Sequence, residues 1–241
     1  MLSFGIIIYW NLFFKFNKGS SMNFVDFILN LLNKKYEKRF LSLLSIKLKT
    51  DNISDPKFIL EEIQQKAPLL FESYIKNNST KNKVEITHIR IASFVLSVFS
   101  SLRMYYKDIE VIKSLIEEIS SNIFYNEIKL LLNLSFIFSK NKLIAFWNYF
   151  LLLQNKFINI LFDDSVKISK DYDKQKIQVK INPSIYKSFY EKHKIETLTL
   201  VSISYFDVII KIIKDKYPEL EITKDKDTSN LFMTYYLSYK K

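Results

Sequence analysis

Apolar residues recur every three or four positions through the first two thirds of the chain, which is the spacing of one face of an α-helix. The run FVDFILNLL predicts a helix over residues 23–48, either as one piece or as two in series. Asp55 and Pro56 form a helix start, because aspartate accepts a hydrogen bond from a first-turn N–H and proline suits the first position. Pro68 is expected to break that helix. Further helices are predicted over residues 85–106, 108–122, 128–138 and 143–161.

The pattern changes in the last quarter of the chain, where apolar and polar residues alternate. The segments KIQVKI at residues 176–181 and TLTLVSIS at residues 197–204 have the two-residue period of strands with one buried face. One helix is predicted from Pro183 and another over residues 208–216. Two more strands follow at residues 220–223 and 231–239. The resulting order is β-α-β-α-β-β.

Together these elements predict an α+β fold, in which an N-terminal helical bundle precedes a small, mainly antiparallel β-sheet with two helices. About six helices over residues 22–170 are expected to form the bundle. Residues 171–241 are expected to form the α+β region and to pack with the helices as one globular unit. A chain of 241 residues can bury a sizeable core in this way.

Residues 1–21 are predicted to be an apolar leader or linker outside the fold. The run MLSFGIIIYWNLFF is shorter than the roughly 20 residues that a membrane-spanning helix needs. It also lacks the basic first region and the small-residue cleavage site of a signal peptide. Two interpretations stay open: Met22 is the true start, or the leader adsorbs to a membrane surface.

The composition excludes several kinds of site. With no cysteine and only two histidines, disulfides, cysteine-ligated zinc and a multi-histidine metal site are excluded. Gly5 and Gly19 are the only glycines, so glycine-rich phosphate loops are excluded too. The aspartates between residues 163 and 173 lack the tight spacing of a magnesium motif. No cofactor and no metal are therefore predicted. The lack of cysteine is compatible with the cytoplasm, which is the predicted location.

The formal charge of +11 comes almost entirely from lysines that are spread along every segment. Because a nucleic-acid-binding protein tends to concentrate its cations on one face, no specific nucleic acid partner is predicted. The densest group is Lys34, Lys35, Lys38 and Arg39. This group is interpreted as a solvated helix face, with contact to anionic lipid or phosphate as the alternative.

The last quarter of the chain resembles the L-2-amino-thiazoline-4-carboxylate hydrolase family. The resemblance extends over roughly residues 86–241. It is carried by Pro183, Tyr186 and Tyr190, the pair Leu198 and Thr199, Asp207, the pair Tyr217 and Pro218, and an aromatic final strand. It implies an α+β fold and hydrolysis of a small cyclic substrate at a C–N or C–S bond.

The chain departs from this family at its cysteines. Members typically carry Cys-Pro where this chain has Asn182 and Pro183, and a second cysteine near the position of Ser202 or Ser204. A glycine and a cysteine expected within residues 230–236 are also absent. Because no thiolate is present, any thiolate chemistry of the family cannot operate here. The resemblance therefore supports the fold more than the reaction.

The candidate site is a pocket between the sheet and the helical bundle that holds a small, carboxylate-bearing molecule. Asp207 is the candidate general base, and His193 is a second candidate proton carrier. Tyr186, Ser202 and Ser204 are expected to contact the substrate.

Arg103 is the candidate clamp for the substrate carboxylate, because a guanidinium group matches a carboxylate in shape and charge. Structural explanations exist for each charged candidate. Asp207 can cap the helix that follows it, His193 can interact with the negative end of a helix dipole, and Arg103 can be a surface residue near a helix end. Two further functions stay open: a non-catalytic small-molecule-binding or scaffold protein of the same fold, and a peripheral membrane protein that uses residues 1–21.

Overall fold

The computed structural model describes residues 21–77, 83–137, 141–145, 166–171, 176–181, 184–195, 204–227 and 232–240. The helices in these ranges are α1 (Ser21–Thr50), α2 (Pro56–Lys76), α3 (Lys83–Leu102), α4 (Ile109–Ile137), α5 (Lys142–Ala145), α6 (Ser184–Lys192) and α7 (Ser204–Lys216). The strands are β1 (Val166–Asp171), β2 (Lys176–Ile181), β3 (Leu220–Asp227) and β4 (Phe232–Tyr239).

Helix α3 lies at the centre of the helical body. Every side chain from Ala92 to Phe99 is at most 3% exposed, and α1, α2, α4 and α6 all contact this helix. Burial of each large apolar side chain contributes about 1.5–3 kcal/mol relative to exposure. Two buried serines on α3 bond to their own helix, Ser93 to the Ile89 carbonyl at 2.7 Å and Ser97 to the Phe94 carbonyl at 2.7 Å. Their hydroxyls are therefore satisfied without a partner from outside the helix.

The connection from α1 to α2 follows from local capping chemistry. Asn52 has a φ of 57°, and its N–H donates to the Lys49 carbonyl while the Ile53 N–H donates to the Leu48 carbonyl. This pair of bonds is the Schellman arrangement, and asparagine tolerates its left-handed position better than most residues. Asp55 then accepts a 3.1 Å bond from the Phe58 N–H and caps α2, as the sequence predicted.

Helix α2 continues through Pro68, so the predicted break at this residue is wrong. Proline removes one N–H from the hydrogen-bond ladder of the helix but leaves the other bonds in place. The turns before and after it are held against the core by buried Ile59, Ile63 and Tyr74. This packing offsets the missing bond, which is a tertiary effect that helix propensity does not contain.

A polar contact inside the core joins α1 to α4. The Tyr36 and Ser120 hydroxyls are 2.9 Å apart, and the Ser120 hydroxyl donates to the Ile116 carbonyl at 2.7 Å, so the Tyr36 hydroxyl donates to Ser120. The Tyr36 ring stacks on Phe124 at 5.7 Å between centroids. Burial raises the pKa of Tyr36 to about 12. The hydroxyl therefore stays protonated and keeps donating at neutral pH.

The four described strands form one antiparallel sheet in the order β1-β2-β4-β3. Helix α7 packs against both α4 and β3, and α6 packs against α3. The end of β4 is tied to α5, because the Tyr239 hydroxyl accepts from the Lys142 N–H at 2.9 Å and donates to the Asn141 side-chain oxygen at 2.9 Å. The C-terminal region is therefore joined to the helical body at several points.

The predicted α+β class is confirmed at this coarse level, but the detailed order differs. The structure has an additional strand, β1, that begins before the predicted boundary at residue 171. The strand predicted at residues 197–204 lies outside the described residues except for Ser204, which is the first residue of α7. Helix α4 also joins two predicted helices into one, from Ile109 to Ile137.

None of the helices in the described ranges is long and apolar enough to cross a membrane. Residues 1–20, which hold most of the predicted leader, lie outside the described residues. Ser21 and Met22 begin α1.

Replacing Tyr36 by phenylalanine is expected to lower the free energy of unfolding by about 1 kcal/mol, because the substitution removes a largely buried hydrogen bond and keeps the ring. Urea denaturation measures this change. In a double-mutant cycle with Ser120→Ala, the two substitutions should be non-additive by about 1 kcal/mol. Strictly additive effects would show that the two hydroxyls do not interact.

Candidate functional site

Helix α6 attaches the C-terminal region to the helical body through two aromatic residues. Phe189 and Tyr190 are 0% and 2% exposed, and the Phe189 ring lies 5.0 Å from the Tyr74 ring of α2. Both residues belong to the same hydrophobic core as α1 to α4. The neighbouring α6 residues Ser188 and Glu191 are exposed. Because Phe189 and Tyr190 are adjacent, α6 presents one side to the α2–α3 pair and the other to solvent.

The end of α6 determines where His193 lies. The Lys194 N–H donates to the Glu191 carbonyl at 2.9 Å, and the Ile195 N–H donates to the Tyr190 carbonyl at 2.9 Å. This is a second Schellman arrangement, with Lys194 in the left-handed region at a φ of 58°. His193 is therefore the C-cap residue of α6, and its ring contacts the Phe189 ring at 4.9 Å.

The His193 ring has one polar atom that lacks a partner. Its Nε2 atom is buried and makes no hydrogen bond to any part of the chain that the structure describes. Burial, and then the positive charge of Lys192, lower the pKa of His193. The imidazole is therefore neutral at pH 7. A neutral imidazole offers one donor and one acceptor, so Nε2 can serve a ligand in either role.

Two cations lie over aromatic rings of α2. The Arg90 guanidinium carbon is 5.0 Å from the Phe71 ring centroid, and the Lys192 ammonium is 5.0 Å from the Tyr74 ring centroid. Phe71 and Tyr74 are three residues apart on α2 and therefore neighbours on one face. Both contacts are within the range of cation–π attraction.

We call this region the α6 seam, because it lies where α6 meets α2 and α3. Its members share aromatic or cationic side chains at that junction: Phe71, Tyr74, Arg90, Phe189, Lys192 and His193.

An acid from α1 lies beside the arginine of the α6 seam. Burial raises the pKa of the Glu37 carboxyl, and the positive charges of Arg90 and Lys34 oppose that rise. Glu37 and Arg90 are both half-buried. The helical body therefore supplies an acidic group that interacts with Arg90 of the α6 seam.

The structure places the predicted site residues in different parts of the molecule. Tyr186 is on α6 with His193, although its side chain lies outside the described set, and Ser202 lies outside the described residues altogether. Ser204 and Asp207 are in the first turn of α7. Arg103 is exposed just after α3.

The described helices that carry these positions pack against different neighbours. Helix α7 packs against α4 and β3, whereas α6 packs against α3. Arg103 is thirteen residues along the chain from Arg90, which is about 20 Å of helix at the usual rise per residue. The described residues therefore bring His193 to the α6 seam but do not bring Arg103 to it.

Arg90, Phe71 and Tyr74 are residues of the α6 seam that the sequence interpretation did not select. Arg90 had a sequence signal, since it is one of only three arginines and interrupts the apolar stretch that becomes α3. A charge within an apolar run usually has a partner. The two aromatic residues had no comparable signal, because aromatic residues at helical spacing are most often core.

No family model, curated protein or solved structure matches this chain. The resemblance to the thiazoline-carboxylate hydrolases stays a prediction. Within the part of the chain that the structure describes, no three or more His, Asp or Glu side chains lie close enough to hold a metal ion.

The lowered pKa of His193 predicts a pH dependence of stability. An unfolded histidine binds a proton near pH 6.5, and the folded one binds it only at lower pH. The contribution of His193 to the free energy of unfolding is therefore complete above pH 6.5 and is lost as the pH falls below that value. The raised pKa of Glu37 acts in the opposite sense, because it lowers stability as the pH rises above 4.5.

Urea midpoints measured between about pH 5 and pH 7.5 test both assignments. The gain in stability over this range should be smaller in His193→Gln than in the native protein, and larger in Glu37→Gln. An unchanged profile in His193→Gln would rule out a lowered pKa at this residue.

Replacing Lys194 by glycine is expected to stabilise the protein by about 1 kcal/mol, because glycine adopts a positive φ without the clash of a Cβ atom. Asn52→Gly is the matched comparison, since Asn52 also has a positive φ but has a smaller steric penalty there. In thermal unfolding, Lys194→Gly should raise the melting temperature more than Asn52→Gly does. A loss of stability in that variant would argue against the left-handed end of α6.

Proposed function

We propose that this protein binds a small, carboxylate-bearing molecule at the α6 seam, between its C-terminal region and its helical body. The observation that carries the proposal is the buried Nε2 atom of His193, which lacks a hydrogen-bond partner among the described residues. A buried polar atom without a partner costs about 1–3 kcal/mol. A ligand that bonds to this atom would remove that penalty.

The surroundings of His193 support an anionic and partly apolar ligand. Arg90 and Lys192 bring two positive charges to the α6 seam, and Glu37 interacts with Arg90. The half-buried Phe71 ring offers apolar surface beside the Arg90 charge. Small-molecule sites combine these features, with mostly apolar walls and a few placed polar groups. A small cyclic carboxylate has the complementary chemistry.

The catalytic form of this proposal is a divergent hydrolase, as the family resemblance implies. In this form a neutral His193 accepts a proton from water as the water oxygen bonds to a ring carbon. The C–N or C–S bond of that carbon breaks, and the departing nitrogen or sulfur takes the proton from His193. Asp207 would be a second proton carrier, with Tyr186, Ser202 and Ser204 as substrate contacts. This form also needs the strand of the predicted β-α-β-α-β-β order over residues 197–204 to place those serines. Because the chain has no cysteine, no covalent thiolate step takes part.

The non-catalytic form is a binding or scaffold protein of the same fold. The separation of Asp207 from His193 on different helices favours this form, since α7 packs on α4 and α6 packs on α3. A hydrolase needs its proton carriers within hydrogen-bond reach of the reacting atoms or of one bridging water.

Isothermal titration with L-2-amino-thiazoline-4-carboxylate tests the binding step. His193→Gln and Arg90→Gln are each expected to weaken binding by about tenfold or more, because each removes a polar contact to the ligand. Arg103→Gln is the matched control, since it removes the same charge from an exposed arginine at the other end of α3.

The three variants must first show the circular dichroism spectrum of the native protein. Equal weakening by Arg90→Gln and Arg103→Gln would mean that binding responds to net charge and not to the α6 seam. Consumption of the titrant, followed by nuclear magnetic resonance, then separates the two forms. Turnover that Asp207→Asn abolishes supports the hydrolase, whereas binding without turnover supports the scaffold protein.

A further inference from the structure

The outer face of α1 carries a line of exposed residues that the fold does not use. Lys34, Lys38, Ser42, Ile46 and Lys49 are all exposed. They follow one another at intervals of three or four residues, so they lie along one side of the helix. From Lys34 to Lys49 this line is about 22 Å long at the usual helical rise.

This outer face is positively charged along its length. Residues 34–50 contain only one acid, Glu37, and the basic residues Lys34, Lys35, Lys38, Arg39, Lys47 and Lys49. Glu37 is half-buried and interacts with Arg90 of α3 as well as with Lys34. The one acid on this stretch therefore lies partly inside the helical body, and the solvent side keeps its positive potential.

The apolar face of α1 between residues 34 and 50 packs into the core. Phe40, Leu44 and Leu48 are each 0% exposed. This part of α1 therefore does not turn an apolar stripe outward, as an amphipathic helix does when it embeds in a bilayer. Any partner of this surface must bind through charge, with Ile46 as the one large apolar side chain on the line, 61% exposed.

We propose that the outer face of α1 docks on the surface of a bilayer that contains anionic lipid. Each lysine near an anionic bilayer contributes about 1 kcal/mol to binding, and Ile46 reaches the headgroup region between them. This surface differs from the apolar leader at residues 1–21, which holds no lysine until residue 15. The proposal does not depend on the α6 seam, because it uses no residue of that seam.

Two features favour lipid over nucleic acid. The exposed cations on the line are lysines, whose hydrated point charge suits a diffuse anionic surface, whereas arginine is the usual residue for phosphate recognition in nucleic acids. The chain also has an apolar run at residues 2–14, six residues before the start of α1. Stable peripheral binding commonly needs two signals, such as an apolar anchor and a basic patch.

Co-sedimentation of the full chain with vesicles tests this proposal. The native protein should sediment with phosphatidylcholine vesicles that contain about one third phosphatidylserine, and much less with phosphatidylcholine alone. Binding should also fall as the salt concentration rises, since salt screens the charges. Reversal of Lys34, Lys38 and Lys49 to glutamate should weaken binding by about 100-fold or more, at roughly fivefold for each lysine.

The matched control reverses Lys76, Lys211 and Lys214, which are exposed on α2 and α7. It makes the same change in net charge at other places and should bind vesicles like the native protein. Equal loss in both triple variants would show that only the total charge matters, and this would overturn the proposal. Equal binding to both kinds of vesicle, or full binding by the α1 variant, would assign binding to the leader and also overturn it.

A second probe separates lipid from nucleic acid. Fluorescence anisotropy with a labelled duplex of about 20 base pairs measures binding at near-physiological salt. If the protein binds this duplex through Lys34, Lys38 and Lys49 and does not sediment with the anionic vesicles, the partner is nucleic acid and the lipid proposal is wrong. Sedimentation without duplex binding supports the bilayer.

Discussion

The burial of α3 is the constraint on which the rest of this structure depends. Its side chains from Ala92 to Phe99 are enclosed by α1, α2, α4 and α6. Close packing on every side is possible because the buried serines satisfy their hydroxyls within the helix. Ser101 is the exception, since its buried hydroxyl has no hydrogen-bond partner among the described residues. A central helix of this kind leaves few positions for polar groups. A polar group that does occur there therefore indicates a structural or functional requirement.

Charge is arranged differently on the two sides of the helical body. Toward α3 and α6, Arg90 and Lys192 lie over aromatic rings. On the solvent side of α1 the cations Lys34, Lys38 and Lys49 are exposed. The 36 lysines and arginines therefore include two kinds, those that pack against aromatic rings and those that are exposed on α1. Composition alone does not separate these two kinds.

The packing of α6 on the helical body affects both the stability of the protein and the protonation of His193. Phe189 and Tyr190 hold α6 in place, and the turn at Lys194 directs the His193 ring back onto Phe189. The same packing that stabilises the junction withdraws the imidazole from water and lowers its pKa. The histidine is therefore neutral because of how the C-terminal region is attached.

The sequence by itself determined the elements that depend on local chemistry. The cap at Asp55, the apolar spacing of α1 and the alternation of residues 176–181 all appear in the structure, because each depends on neighbours within a few residues. Tertiary structure alone decided that α2 continues through Pro68 and that Arg90 lies over the Phe71 ring of α2. These outcomes depend on packing between segments far apart in the chain. The spacing of apolar residues within one segment does not predict such packing.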